Sequence, residues 1–159
     1  MITVRSASSS DIEILATYNE AMALETEHKV LEPALIRNGV RRLLDQPAFG
    51  FYLIAEIENQ PVGALMVTSE WSDWRDGLFW WVQSVYVTPE HRQRGVFRTL
   101  YRSVLERAKA DSNICGIRLY VEKENLTAQQ VYIRSGMEET PYRLFEVEFA
   151  RVKNNEYTE

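Results

Sequence analysis

Val85-Tyr86-Val87-Thr88-Pro89-Glu90-His91-Arg92-Gln93-Arg94-Gly95-Val96-Phe97-Arg98 joins an apolar run to an amphipathic one, and that junction decides the architecture. Upstream, residues 78–87 (LFWWVQSVYV) are apolar except for Gln83 and Ser84, the composition of a strand covered on both faces at the centre of a sheet. Downstream, Phe97, Leu100, Tyr101, Val104, Leu105 and Ala108 recur at helical spacing, with Arg98, Arg102, Glu106 and Lys109 on the opposite face. A strand that runs directly into a helix presents the helix's first-turn N–H groups, which lack intrahelical partners, at the positive end of its dipole. An anion entering there meets aligned donors. Gly95 permits close backbone approach, and Arg92, Arg94 and Arg98, with Arg102 one turn on, concentrate positive charge. Residue chemistry alone leaves two readings open, an anion cradle or a solvated helix face with a turn glycine. The phosphate-loop patterns G-x-G-x-x-G and G-x-x-x-x-G-K-[ST] are absent.

Working outward, residues 2–5 read as an edge strand, and Ser8, Ser9 and Ser10 offer N-caps for a helix whose Ile12, Leu15, Ala16 and Met22 share a face. Ser10 and Glu13 have capping-box spacing. A second helix is expected over 33–44, with Glu25-Thr26-Glu27-His28-Lys29 as a polar connection between the two. Residues 49–56 and 62–69 form an expected hairpin around Glu58-Asn59-Gln60-Pro61. After the amphipathic helix come a strand at 117–121, a helix at 126–134 and a last strand at 142–149, where Tyr142, Leu144, Glu146 and Glu148 alternate with Arg143, Phe145, Val147 and Phe149. Helices interleaved with strands predict a mixed α/β sheet with helices on both faces.

The chain of 159 residues, 45% hydrophobic and 26% charged, has no linker-like stretch, so residues 1–159 are expected to form a single domain. Eighteen basic against 23 acidic residues give a net charge of −5, which argues against general nucleic-acid binding. The lone Cys115 has no internal disulfide partner and is expected in the core; with only His28 and His91 beside it, no metal site is expected. MITVRSASSS lacks a secretory apolar region, and no apolar run approaches the ~20 residues of a membrane span, so a cytoplasmic protein without membrane contact is expected.

The run from Val85 to Val96 resembles motif A of the GNAT superfamily of acyl-CoA-dependent N-acetyltransferases, [Q/R]-x-x-G-x-[G/A]. Leu119-Tyr120-Val121 followed by Asn125, Ala128, Tyr132 and Gly136-Met137 resembles the same family's motif B. The resemblance implies a single-domain, mostly antiparallel twisted sheet of about six to seven strands with helices on both faces. It also implies acetyl-CoA as co-substrate. Its pantetheine arm would pair with the backbone of Val85, Tyr86 and Val87, and its pyrophosphate would lie on the N–H groups of Arg92, Gln93, Arg94, Gly95, Val96, Phe97 and Arg98. Asn125 would cap its helix and touch the cofactor, and Tyr132 would be the catalytic general acid. Phe97 departs from the family, standing where a second Gly or Ala is usual: either it turns inward at the head of the apolar stripe with its N–H on phosphate, or it crowds the ligand.

The implied reaction is attack by a neutral amine on a thioester through an oxyanion, which calls for a backbone N–H donor near Val85 and Tyr86. The leaving thiolate needs a proton, which a phenol can supply. The family's frequent basic Glu is replaced by Trp81, which cannot accept a proton, so the base is water held by Gln83 or a carboxylate such as Glu25 or Glu70. Glu25, Gln83 and Trp71 are the candidate acceptor-binding residues, since carboxylates and indole faces suit an ammonium. The expected acceptor is the primary amine of a small molecule. A protein N-acetyltransferase and a non-catalytic acyl-CoA binder are the alternatives, and the resemblance makes a homodimer the expected assembly.

Overall fold

Glu58 and Asn59 both adopt left-handed backbone, with φ of 51° and 62°, the two-residue turn whose twist matches that of the strands it joins. It links β2 (Gly50–Ile57) to β3 (Gln60–Ser72), and Pro61 is accommodated beside a register shift at Ala55 and Glu56. The computed structural model describes residues 1–149. They fall into two compact units, Met1–Glu122 and a second that begins at Lys123.

In the first unit, β1 (Ile2–Ser6), β2, β3, β4 (Gly77–Val87) and β5 (Ile114–Arg118) lie in that order in one mixed sheet. Each of the first four is antiparallel to its neighbour, and β5 runs parallel to β4. Helices α1 (Ile12–Glu27) and α2 (Pro33–Asp45) cover one face, where Leu15, Tyr18, Val40 and Leu43 pack on Tyr52, Ile54, Ala64 and Tyr86. Helix α3 (Val96–Ala110), the crossover between β4 and β5, covers the other through Val96, Leu100 and Val104 against Leu53, Val62, Leu65, Val67 and Val82. Burying each of these α3 side chains contributes about 2 kcal/mol, so their periodicity both makes the helix and fixes its docking.

Several sequence expectations shift. The capping box is Ser8 with Asp11, not Ser10 with Glu13, because Ser9–Asp11 form a 3₁₀ turn ahead of α1. Glu25, Thr26 and Glu27 are the last turn of α1 rather than a connection, and the helix stops at His28 in left-handed backbone. Glu32 caps α2 by accepting from the N–H groups of Ala34 and Leu35. β3 continues to Ser72, so Glu70 and Trp71 lie in the strand, beyond its expected end at residue 69. β5 occupies 114–118 instead of 117–121, and Cys115 is exposed rather than buried because β5 is an edge strand.

The second unit contains α4 (Leu126–Arg134). Gly136, with φ of 87°, ends it in a Schellman arrangement in which Met137 N–H donates to Tyr132 C=O and Gly136 N–H to Ile133 C=O. Residues 142–149 form no strand; they are irregular, and Tyr142, Leu144, Phe145, Val147 and Phe149 are exposed. Among the described residues the sheet therefore has five strands, where six to seven were expected. Alternation supplies a β-like face, but a strand also needs a neighbour's backbone to bond with, and that requirement is invisible in a local pattern.

Candidate active site

β4 pairs with β5 only at Leu78, Phe79, Trp80 and Trp81, the last opposite Arg118. Beyond Trp81 that edge of β4 has no strand partner among the described residues. Residues 82–87 thus form an open edge about 20 Å long at ~3.3 Å per residue. Within this stretch Ser84 has φ of 48°, and the register with β3 steps from Met66–Gln83 to Ala64–Tyr86, so Ser84 and Val85 bulge opposite Leu65. The bulge resets the alternation: Trp80, Val82, Val85 and Val87 serve the α3 face, while Tyr86 packs under α1. By the same alternation Trp81 and Gln83 share the α1 face with Tyr86. The reading of 78–87 as one continuous strand did not anticipate this bulge, and its one local mark is the polar pair Gln83-Ser84 inside the apolar run.

At the end of β4, Thr88 N–H bonds the Val62 carbonyl at 3.0 Å, so Val87, one residue earlier, turns its own backbone groups to the open edge. A 3₁₀ turn at Pro89–His91 leads to Gln93 and Gly95, with left-handed φ of 61° and 81°, and then into α3. No side chain caps α3; Gly95 C=O accepts from Thr99 N–H at 3.0 Å. Arg94 and Arg98 are exposed and make no ion pair among the described residues. Arg102 pairs with Glu106 at 3.8 Å on the outer surface. Val96, not Phe97, begins the buried stripe; Phe97 is half-buried and stacks on Tyr101 with centroids 5.9 Å apart.

Arg92 does something the sequence did not reveal. Its Nε donates to the Val87 carbonyl at 3.0 Å and its Nη2 to Glu25 at 2.6 Å, with the guanidinium 5.7 Å from the Tyr86 ring centroid. Tyr86 O–H also donates to Glu25, at 3.3 Å, and burial followed by that carboxylate pushes its phenol above the ordinary range. Glu25, Tyr86 and Arg92 therefore form one cluster tying α1 to the turn before α3. Farther along the same face Gln83 donates to Thr68, and the Trp81 indole N–H donates to Glu70, whose other oxygen accepts from Arg118 at 2.7 Å. Arg118 stacks 3.6 Å from the Phe79 ring centroid. Trp71, adjacent to Glu70 on β3, points to the other face by alternation and is exposed. Trp71 therefore does not join Glu25 and Gln83 on the α1 face, and the indole beside a carboxylate there is Trp81, on Glu70. Thr68 and Arg118 carried no signal, because only strand pairing brings them here.

Asn125 and Tyr132 belong to the second unit. Asn125 accepts from Ala128 N–H at 3.1 Å and so caps α4, as expected. Tyr132 lies in the helix's last turn, and burial pushes its phenol up.

The sequence model of the acetyltransferase (GNAT) family matches residues 14–137. The chain belongs to that family. This GNAT acetyltransferase is similar to a possible acetyltransferase from Clostridium difficile 630, with 39% identity, a TM-score of 0.88, and coverage of 95% of this chain and 99% of that one. Its fold also matches a predicted acetyltransferase with acetyl-CoA from Clostridium acetobutylicum, at 20% identity, TM-score 0.77, and coverage of 92% and 96%. An aminoglycoside acetyltransferase from an uncultured soil metagenomic sample matches at 17% identity, TM-score 0.72, with coverage of 94% and 99%. No curated protein matches the chain significantly. Among the described residues no helix of this GNAT protein is long and apolar enough to cross a membrane.

Proposed function

We propose that this GNAT protein moves the acetyl group of acetyl-CoA to a primary amine of a small molecule. The carrying observation is the continuity of three features: an unpaired β4 edge, a turn with left-handed Gln93 and Gly95, and the side-chain-uncapped start of α3. An extended arm with amide groups fits the edge at Val85, Tyr86 and Val87 as an added strand. The diphosphate end of such a molecule fits the Gln93–Arg98 turn, whose backbone and the Arg94 and Arg98 side chains supply donors and positive charge. Acetyl-CoA, when bound, supplies an activated acyl group. Arg92 contributes through its backbone, since its side chain is committed to Glu25 and Val87. Tyr132 is the proton donor to the leaving sulfur in this reading; a phenol is protonated at neutral pH, and burial raises its pKa further.

Gln83, on the α1 face beside the open edge, supports a polar acceptor, and the aminoglycoside acetyltransferase of the same fold is named for an acceptor of that kind. The test is thiol release from acetyl-CoA with benzylamine, putrescine and kanamycin, alongside calorimetric titration of acetyl-CoA. Saturable acetyl-CoA binding with amine-dependent thiol release supports the proposal. Binding without release from any amine leaves a non-catalytic binder, and no binding up to millimolar concentration overturns the reading.

A further inference from the structure

Two carboxylates lie on the α1 face beside β4, at opposite ends of the open edge, and each is held by one guanidinium and one neutral donor. Glu25 is at the α3 end, bonded to Arg92 and Tyr86. Glu70 is at the closed end, bonded to Arg118 and Trp81, at the last residue pair before β4 and β5 part. This placement separates their roles. A ligand whose anionic end sits at the start of α3 and whose arm follows the edge runs from Val87 toward Trp81, and it must stop there, because β5 occupies the edge beyond. Its reactive group therefore comes to the Glu70 end and not the Glu25 end.

The surroundings of Glu70 fit a proton acceptor. Each carboxylate oxygen has two acceptor directions; Trp81 takes one on one oxygen and Arg118 takes one on the other, which orients the group and leaves a direction on each. The side chain is 43% exposed, so those directions are reachable. The Trp81 ring, 6.0 Å from that of the exposed Tyr120, gives the approach an aromatic wall suited to an amine. Arg118 is braced on Phe79, so the ion pair is a fixed mount rather than a loose surface contact.

We propose that Glu70 is the catalytic carboxylate that receives the acceptor's proton, a role that rests on the acetyl-CoA reading given above. The amine nitrogen bonds to the acyl carbon, the carbon–sulfur bond breaks, and the proton released from nitrogen passes to Glu70. The departing sulfur takes up a proton in its turn, and exchange with solvent returns the one held by Glu70. Trp81 is a positioning residue: its indole N–H holds a carboxylate delivered from β3.

The test uses the full chain with acetyl-CoA and the amine of the benzylamine, putrescine and kanamycin set that wild type turns over fastest. Glu70→Ala is expected to lower kcat by about 10²-fold or more, leave acetyl-CoA affinity unchanged, and regain turnover saturably when sodium formate is added. Glu70→Gln, which keeps an acceptor for Arg118 but cannot take the proton, reads the same loss if Glu70→Ala folds poorly. Trp81→Phe is expected to lower kcat less than either. Wild-type turnover in Glu70→Gln overturns the proposal while leaving the transferase reading intact. So does a loss in a folded, acetyl-CoA-binding Glu70→Ala that formate does not relieve. A wild-type chain that binds acetyl-CoA but releases no thiol with any of the three amines overturns both.

Discussion

Arg5 donates to both oxygens of Asp11 at 2.8 Å, and the backbone N–H of Ser8 adds a third bond at 2.8 Å. The guanidinium first, and Ser8 with it, outweigh the opposing effect of burial and lower the Asp11 carboxyl from 3.8 to about 2. The unfolded chain therefore binds this proton more readily than the folded one. The stabilisation is fully present above about pH 4 and is lost as pH falls through about 2, a difference worth about 2 kcal/mol. Asp11→Asn should cost about that much at neutral pH and flatten the loss of stability between pH 4 and 2, as read from urea midpoints across that range. At Tyr132, removal of one oxygen separates chemistry from binding. Tyr132→Phe is expected to lower turnover by about 10²-fold or more with acetyl-CoA affinity retained; equal turnover would take the phenol out of the mechanism. The Asn125 cap of α4 and the turn at Gly95 were legible in the sequence, whereas Tyr132 enters only through the family resemblance. Arg118 and Thr68 were not, because a residue on one strand carries no record of which strand lies opposite.

The junction of β4 with α3 works as one element, and its conformation is set at Gly95. A β-branched residue at φ of 81° meets the steric cost of left-handed backbone, about 1–2 kcal/mol. A Cβ there would also sit 3.4 Å from the Arg98 guanidinium. Gly95→Val should therefore lower the thermal midpoint modestly and weaken acetyl-CoA binding far more, whereas Gln93→Ala, which keeps the backbone, should bind nearly as wild type. Calorimetry on the two variants checks this, and equal losses would mean that side chains and not the turn hold the ligand. The strength of α3 in the sequence comes from its long apolar stripe, which is why its existence was legible while its start was off by one residue: Val96 docks and Phe97 flanks. The expected strand at 142–149 shows the opposite case, where a clear local period has no partner in the sheet. The bulge at Ser84 lay between these, marked by a polar break but with no signal for its left-handed φ.

At the scale of the whole molecule, 23 acidic residues outnumber 18 basic ones, yet the site proposed for a polyanion is locally cationic. The two fields act over different distances. At about 0.1 M salt the Debye length is ~10 Å, so acidic groups farther than that from the turn at Gln93–Arg98 hardly act on it, and the nearby Glu25 is paired with Arg92. Arg94 and Arg98, at contact range, still attract by about 1 kcal/mol per pair in water. Composition alone gives only the sum of these charges; the fold decides that the arginines gather at the start of α3 while Arg92 is drawn off by Glu25. Acetyl-CoA affinity should therefore fall steadily as salt is raised above about 0.1 M, although the protein as a whole is acidic. Arg98→Ala should weaken binding at low salt and flatten that dependence, bringing the two titration series together at high salt. An affinity that rises with salt would mean that the overall negative field dominates, and an unchanged slope in Arg98→Ala would make that arginine a solvated side chain and nothing more.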